Sequence, residues 1–302
     1  MAASPNAAFM SQIAAFSLAL RQLPWKHWQA SIHVAMGGDV DAQVLHQWLP
    51  HLQDVTITLV SSQRFREEKI WAQSDDVFRL APRDADVYIA MDADTLPVGD
   101  LEPVLDEVLE NNEVAGVIAH YPFPGFPDLS AEKAWEIAGK GVLKNPLDLS
   151  HRCTLMADDV PVEKRMTPFY LNFGVVFFSR QAFSQVMQRY LKMRPRLMNR
   201  LPDNAFAGQV ALTLSCANAG VKTRALPMRF NYPNDVVADR LYPHELSNVV
   251  VFHYLRTGNF DRHRIFTTAQ EYERFITLSL EGSDRFFQKK VQEFLGGSYP
   301  FA

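Results

Sequence analysis

Pairs of aspartates separated by one residue are the first pattern in this chain that could do chemistry. They are Asp39/Asp41, Asp84/Asp86 and Asp92/Asp94. The first pair precedes a predicted helix and the second a predicted strand, so helix capping and solvated turns explain them. The third pair directly follows the apolar run 87–91, at the end of a predicted buried strand, where α/β sheets bind ligands. Two adjacent carboxylates there favour a shared Mg²⁺ or Mn²⁺ that could bridge a diphosphate, with a helix-capping turn as the alternative.

The elements that must position this pair alternate along the chain. Apolar runs predict strands over 31–36, 55–60, 87–91, 114–119, 171–178 and 249–252. Helical spacing predicts helices over 7–20, 41–49, 101–109, 181–192 and 205–217, then two at the C-terminus, the last over 283–296. This order predicts an α/β fold, with a mostly parallel mixed sheet flanked by helices.

Composition excludes several function classes. The 302 residues carry a formal charge of −4, so no global basic field steers the protein to nucleic acid. Two cysteines exclude a disulfide scaffold, and no glycine-rich phosphate loop is present. No apolar run reaches the roughly 18 residues of a membrane span. We expect a cytoplasmic protein without a transmembrane segment, and the C-terminal helices leave a peripheral membrane contact open.

Three motifs together resemble a known family. The segment Asp86-Val-Tyr-Ile-Ala-Met-Asp-Ala-Asp-Thr-Leu-Pro-Val-Gly-Asp-Leu101 resembles the signature of glycosyltransferases with the A-type fold, particularly family 8-like enzymes. Asn172-Phe-Gly-Val-Val-Phe-Phe178 is similar to the family's Asn-x-Gly-Val strand. Val251-Phe-His-Tyr254 is similar to its late His-Tyr strand. The motifs occur in the family's order and together cover roughly residues 55 to 265. The resemblance therefore implies that the chain has the fold of this family.

The resemblance implies a metal and a donor. Asp92, Asp94 and His253 would bind Mn²⁺ (or Mg²⁺) on the diphosphate of a nucleotide-sugar, a UDP-sugar in particular, and Asn172 and Gly174 would lie under the donor sugar. Each residue also has a plainer interpretation. Asn172 could be a hydrogen-bonded strand residue, Gly174 a bulge, and His253 a core histidine.

The phosphate contacts depart from the family pattern. The family places a glycine and then a lysine after the histidine, whereas this chain has Gly258 and no lysine. Arg256 or Arg262 would have to substitute, which guanidinium chemistry allows. Lys69 resembles a family lysine near the donor, although surface solvation also explains it. Asn6, a predicted helix N-cap, would lie near the nucleotide base.

The residues predicted at the reaction centre also depart from the family pattern. The segment Asp203-Asn-Ala-Phe-Ala-Gly-Gln-Val-Ala-Leu212 is similar to the family's Asp-Gln-x-x-Leu segment near the reacting carbon. If Gln209 matches the glutamine, Gly208 stands where the aspartate would be. Asp203 could take over that role, or it could only cap the helix.

The resulting hypothesis is a metal-dependent glycosyltransferase of the hexosyltransferase type. It would move a sugar to an acceptor hydroxyl on a glycan, a lipid-linked molecule or a small molecule. We expect a single domain over 1–302, with an acceptor-side excursion over 121–168 and a C-terminal helical extension over 264–302.

Two alternatives stay open. The apolar run and Asp-Ala-Asp-Thr95 also match the first motif of haloacid dehalogenase-type phosphatases, in which Asp92 would be the nucleophile and Asp94 the acid/base. That motif usually follows the first strand, whereas two predicted strands precede it here. The second alternative is a non-catalytic nucleotide-sugar-binding module, which Gly208 and the missing lysine favour.

Overall fold

The computed structural model describes residues 1–39, 41–63, 66, 70–123, 126, 129–157 and 159–302, and for 70–74 it describes the backbone alone. These residues form two compact units, each built from separate stretches of the chain. The first unit contains Met1–Pro82, Met91–Glu102 and Met228–Ala302, and the second contains Arg83–Ala90 and Pro103–Pro227.

Helices and strands alternate through the described residues. The helices are α1 (Ala7–Gln22), α2 (Ala42–Trp48), α3 (Ile70–Arg79), α4 (Glu102–Asn111), α5 (Ala131–Gly139), α6 (Val162–Arg165), α7 (Arg180–Met198), α8 (Ala207–Ala219), α9 (Val236–Leu241), α10 (Pro243–Leu246), α11 (Ala269–Thr277) and α12 (Gly282–Leu295). The strands are β1 (Ala2–Ala3), β2 (Ile32–Gly37), β3 (Val55–Val60), β4 (Val87–Met91), β5 (Thr95–Pro97), β6 (Glu113–Ile118), β7 (His151–Arg152), β8 (Met166–Thr167), β9 (Leu171–Ser179), β10 (Lys222–Ala225), β11 (Tyr232–Pro233) and β12 (Val251–His253). Each element predicted from the sequence has a counterpart, and α7 continues furthest past its predicted end, to Met198.

Helix α1 forms where the sequence predicts an amphipathic helix. The side chain of Asn6 accepts a hydrogen bond from the backbone N–H of Phe9 at 3.1 Å, which caps the first turn. Met10, Ile13 and Phe16 recur at helical spacing and are buried. This apolar face packs against β5 and α12 within the first unit.

Two sheets organise the first unit. In one, β1, β2 and β3 are parallel, with Ala2 opposite Ala35 and Ile32 opposite Val55. In the other, β12 lies between β11 and β5, parallel to β11 and antiparallel to β5. The second sheet is small, but β5 belongs to the motif that contains Asp92 and Asp94, and β12 begins the motif that contains His253.

The second unit has its own sheet, in the order β10, β6, β9, β4. Strand β10 is parallel to β6, and β9 is antiparallel to it. The apolar run Val175–Phe178 in β9 is fully buried, which explains why this strand is so clear in the sequence. Parallel and antiparallel pairs thus occur in both units, and the expected mixed α/β class is confirmed. None of the helices in the described residues is long and apolar enough to cross a membrane.

Candidate metal centre

The loop with the third aspartate pair is held from both sides. Asp92 follows β4 and Asp94 precedes β5, whose first residue, Thr95, donates its hydroxyl hydrogen to the carbonyl of Asp92 at 2.7 Å. Tyr254 donates its backbone N–H to the carbonyl of Asp94 at 3.0 Å and its hydroxyl hydrogen to the carbonyl of Ala93 at 3.3 Å. Thr95, Ala93 and Tyr254 are buried, so the two carboxylates project from a fixed backbone.

Strand pairing brings His253 to the same loop. His253 is the last residue of β12 and lies opposite Thr95 in the antiparallel register with β5. Its Nε2 is 3.4 Å from Oδ1 of Asp94 and 3.9 Å from Oδ2 of Asp92. The three ligand atoms lie within 4.8 Å of one another, and in the described part of the chain no other three such groups come this close.

The cluster is buried on one side and accessible on the other. The side chains of His253 and Asp94 are 6% and 15% exposed, whereas that of Asp92 is 52% exposed. A bound ion would therefore have deep ligands behind it and an open side at Asp92.

Asp94 and His253 each shift the pKa of the other. Burial alone would raise the pKa of Asp94, but His253 and Arg262 outweigh it and lower that pKa to about 2. Burial likewise opposes charge on His253, yet Asp94 and Asp92 raise the pKa of its imidazole. A cation bound at Nε2 would compete with a proton there, because a histidine must be deprotonated at the nitrogen that binds a metal.

The residues of this cluster fit a divalent cation. Two carboxylates and an imidazole are a donor set that suits Mn²⁺, and carboxylates also suit Mg²⁺. Metal–oxygen bonds of about 2.1 Å put octahedral ligands about 3.0 to 4.2 Å apart. The spread of the three ligand atoms is close to that range, so small side-chain movements would close the site on an ion.

Of the two arginines predicted to contact phosphate, Arg262 lies at the cluster. Its guanidinium pairs with Oδ2 of Asp94, the oxygen that does not face His253. The carbonyl of Arg262 accepts a hydrogen bond from Nε2 of Gln12 in α1 at 3.0 Å. Arg256 instead pairs with Asp235, with its Nη2 2.8 Å from Oδ2.

The other predicted site residues have local partners. Asn6 caps α1, and Asn172 accepts a hydrogen bond from the N–H of Gly174 at 2.9 Å within β9. Asp203 accepts from the N–H of Ala205 at 3.0 Å, the capping contact that the sequence offered as one of its alternatives. Gln209 is half-buried in α8 and Lys69 lies outside the described residues. The donor and catalytic roles of all of these residues stay predictions.

Packing explains the glycine that interrupts the expected Asp-Gln pair. A Cβ at Gly208 would lie 3.2 Å from the hydroxyl of Tyr190 and 3.3 Å from the ring of Phe173. Tyr190 is buried and Phe173 is half-buried, so a side chain at this position would require both neighbours to shift.

Three residues make contacts at the site that the sequence does not predict, although Tyr254 belongs to the His-Tyr motif. Gln12 looks like an interruption of an apolar helix face, and Tyr254 like the end of a buried strand. Asn231 belongs to no motif, yet its Oδ1 lies 2.9 Å from Nδ1 of His253. The pairing of β11, β5 and β12 reveals the contacts of Tyr254 and Asn231, and the packing of α1 against β5 brings Gln12 to this region. Each partner is remote along the chain.

Comparison with known proteins identifies the fold. No protein-family model matches the sequence, and no curated protein matches it. The bifunctional glycosyltransferase WbbM, solved in its apo form, matches with a TM-score of 0.54 and 13% identity over 98% of this chain. This chain spans 50% of the length of WbbM. The galactosyltransferase LgtC, solved with donor and acceptor sugar analogs, matches with a TM-score of 0.52 and 15% identity over 97% of this chain and 94% of its own. The protein therefore has the A-type fold of glycosyltransferases, as its sequence motifs predict.

Proposed function

We propose that this protein is a metal-dependent glycosyltransferase of the hexosyltransferase type, which moves a sugar from a nucleotide-sugar donor to an acceptor hydroxyl. The observation that carries the proposal is the grouping of Asp92, Asp94 and His253 beside Arg262. The fold supports it, because LgtC has the same fold and was solved with donor and acceptor sugar analogs.

In this proposal Asp92, Asp94 and His253 hold Mn²⁺ or Mg²⁺. Such an ion would stabilise the negative charge that develops on the nucleoside diphosphate as it leaves the sugar. Arg262 would place a second positive charge against the same phosphates, and its forked guanidinium suits them. Its contact with Asp94 favours Arg262 over Arg256 for this role. The exposed side of Asp92 is where the phosphates would enter.

The remaining predicted residues complete the proposed donor site. Asn172 and Gly174 would lie under the sugar of a UDP-sugar, Asn6 near the base, and Lys69 near the donor. Arg256 is the secondary candidate for a phosphate contact.

The acceptor side and the reaction centre are assigned to other segments. Asp203 and Gln209 would lie at the reacting carbon. The segment 121–168 would bind the acceptor, either a glycan, a lipid-linked molecule or a small molecule, and 264–302 would be a helical extension of one functional domain. The cytoplasmic location and a peripheral membrane contact stay predictions.

A donor screen tests the proposed function. Thermal unfolding with a panel of nucleotide-sugars, each with and without Mn²⁺, should reveal a donor that raises the unfolding temperature only with the metal. Release of nucleoside diphosphate from that donor should also depend on Mn²⁺. In Asp94→Asn we expect Mn²⁺-dependent release to be abolished, because the variant loses a charged metal ligand that faces His253.

The matched control is Asp84→Asn. It removes the same charge from another aspartate pair, at an exposed position, and release should stay at the wild-type rate. Unchanged release in Asp94→Asn would contradict the proposal. Donor binding without release would favour the binding module, and hydrolysis of an aryl phosphate through a covalent aspartyl phosphate would favour the phosphatase alternative.

A further inference from the structure

Asn231 is a buried polar residue that contacts the side of His253 facing away from the aspartates. Its Oδ1 lies 2.9 Å from Nδ1 of His253, and the residue has no exposed surface. The short turn Met228–Phe230 precedes it, and its N–H donates to the carbonyl of Met228 at 2.9 Å. Strand β11 follows and runs parallel to β12, with Pro233 opposite His253. Backbone structure on both sides therefore fixes where the amide group lies.

The nature of this contact determines which nitrogen of His253 can bind a cation. A neutral imidazole carries one proton, on Nδ1 or on Nε2, and only the nitrogen without the proton offers a lone pair. An amide oxygen accepts hydrogen bonds and cannot donate, so Oδ1 of Asn231 favours the proton on Nδ1. Nε2 then presents its lone pair to the space beside Asp94 and Asp92. With the amide reversed, the proton would lie on Nε2 and point at the carboxylates.

The buried position of Asn231 indicates that its contact with His253 is important. Nδ2 of Asn231 is buried and has no hydrogen-bond partner among the described residues. A buried donor without a partner is unfavourable, and an apolar side chain of the same size would avoid that cost. The contact from Oδ1 to His253 is what an asparagine provides here and a leucine would not.

We propose that Asn231 is a positioning residue that fixes the Nδ1-protonated tautomer of His253 and so makes Nε2 the metal-binding atom. As far as the metal is concerned, this inference rests on the proposed function. Without an ion the carboxylates of Asp94 and Asp92 compete for a proton on Nε2, so the tautomer is measured with the ion bound.

The first experiment determines the tautomer directly. Long-range ¹H–¹⁵N NMR of the ¹⁵N-histidine-labelled protein saturated with Mg²⁺, which is diamagnetic, distinguishes a protonated Nδ1 from a protonated Nε2. The resonances of His253 are those missing in His253→Gln. We expect Nδ1 to carry the proton in the wild type and in Asn231→Asp, which keeps an acceptor in place. A proton on Nε2 in the wild type would overturn the proposal.

The second experiment measures Mn²⁺ affinity by EPR titration. Asn231→Leu should bind Mn²⁺ about 10- to 100-fold more weakly, which is the usual effect of losing such a supporting contact. Asn231→Asp should bind at least as tightly as the wild type. If Asn231 acts through His253, adding Asn231→Leu to His253→Gln should cause no further loss.

The outcomes separate this inference from the proposed function. Wild-type affinity in Asn231→Leu, or an equal loss in both backgrounds, would overturn the role of Asn231 while leaving the metal site intact. If the wild type bound no Mn²⁺, the proposed function itself would fail, an outcome distinct from equal affinity in the wild type and Asn231→Leu. Should Asn231→Leu not fold, Asn231→Asp replaces it, and a tenfold loss there would contradict the inference.

Discussion

The carboxylate of Asp94 uses its two oxygens for two different partners. Oδ1 faces Nε2 of His253 at 3.4 Å, and Oδ2 pairs with the guanidinium of Arg262. A carboxylate that is held through one oxygen keeps its orientation while the other oxygen is available to an ion. In the proposed site Arg262 would place a positive charge beside the phosphates of the donor, and the same charge would oppose binding of the ion alone.

Replacement of Arg262 should affect metal and nucleotide binding in opposite directions. In Arg262→Gln we expect UDP in the presence of Mn²⁺ to bind about 10- to 100-fold more weakly, because a charge-assisted contact of about 1.5–3 kcal/mol is lost. Mn²⁺ alone should bind at least as tightly as in the wild type, because a neighbouring positive charge is gone. Calorimetric titration of the two ligands measures both effects.

Arg256→Gln is the matched control for this prediction. It removes the same charge from the same loop, but from an arginine that pairs with Asp235 instead of Asp94. Its loss of UDP affinity should be the smaller of the two. A larger loss in Arg256→Gln would show that the phosphate contact has been assigned to the wrong arginine.

Metal affinity should rise with pH because Nε2 of His253 must lose its proton before it binds an ion. Although burial opposes it, Asp94 and Asp92 raise the pKa of His253 above the ordinary value of 6.5. Mn²⁺ affinity should therefore rise by up to about tenfold per pH unit and continue to rise above pH 6.5. For the metal-free protein the sign is opposite. The stability that the charged imidazolium contributes is complete below pH 6.5 and declines as pH increases through the raised pKa.

Mn²⁺ titrations between about pH 5.5 and about pH 8.5 at constant ionic strength check this dependence. His253→Gln should bind more weakly and show a shallower slope, because no imidazole competes with the ion for a proton. A flat wild-type affinity across this range would contradict the assignment of His253 as a ligand.

The sheet of β11, β12 and β5 brings the candidate ligands together, and only part of this arrangement can be predicted from the sequence. The motif around Asp92 and Asp94 is visible in the sequence and by itself predicts a shared cation. The ligand role predicted for His253 follows from the family resemblance. Which strands pair is not visible, because β5 and β12 have only three residues each and β11 has two. Such short strands have too little alternation to define a partner or a register.

The supporting contacts are unpredictable for a different reason. Gln12 and Arg262 are 250 residues apart in the sequence, and Asn231 and His253 are 22 apart. A single polar residue in a buried helix face or turn does not indicate its partner until the fold places the two together. The longer elements, by contrast, follow from local spacing and capping alone, as α1 and β9 demonstrate.

Helix α1 should influence the donor site through Gln12. In Gln12→Leu the carbonyl of Arg262 loses its hydrogen bond, so we expect UDP affinity to fall several-fold while the affinity for Mn²⁺ alone is unchanged. The free energy of unfolding should fall by about 1 kcal/mol. UDP titration and denaturant unfolding measure these two effects.

Gln22→Leu makes the same substitution in the same helix. Gln22 also donates to a backbone carbonyl, that of Phe294 in α12, away from Arg262. It should leave UDP affinity at the wild-type level. Equal losses of UDP affinity in the two variants would indicate a general effect of α1 and not a contact with the Arg262 loop.

At the scale of the whole molecule, the predicted functional residues are divided between the two units. The first unit contains the candidate metal ligands and Arg262, and the second contains Asn172, Gly174, Asp203 and Gln209. Other aspartates, such as Asp41, Asp203 and Asp235, accept hydrogen bonds from backbone N–H groups at the starts of helices. Asp92 and Asp94 stand apart because a buried histidine and an arginine converge on them.

The metal centre is tested most directly by anomalous diffraction at the manganese edge from crystals soaked with Mn²⁺ and UDP. We predict a manganese peak within about 2.5 Å of oxygens from Asp92 and Asp94 and of Nε2 of His253, with the UDP diphosphate beside it. A peak at other acidic residues, or no peak beside these three side chains, would contradict the central claim that they form the metal centre.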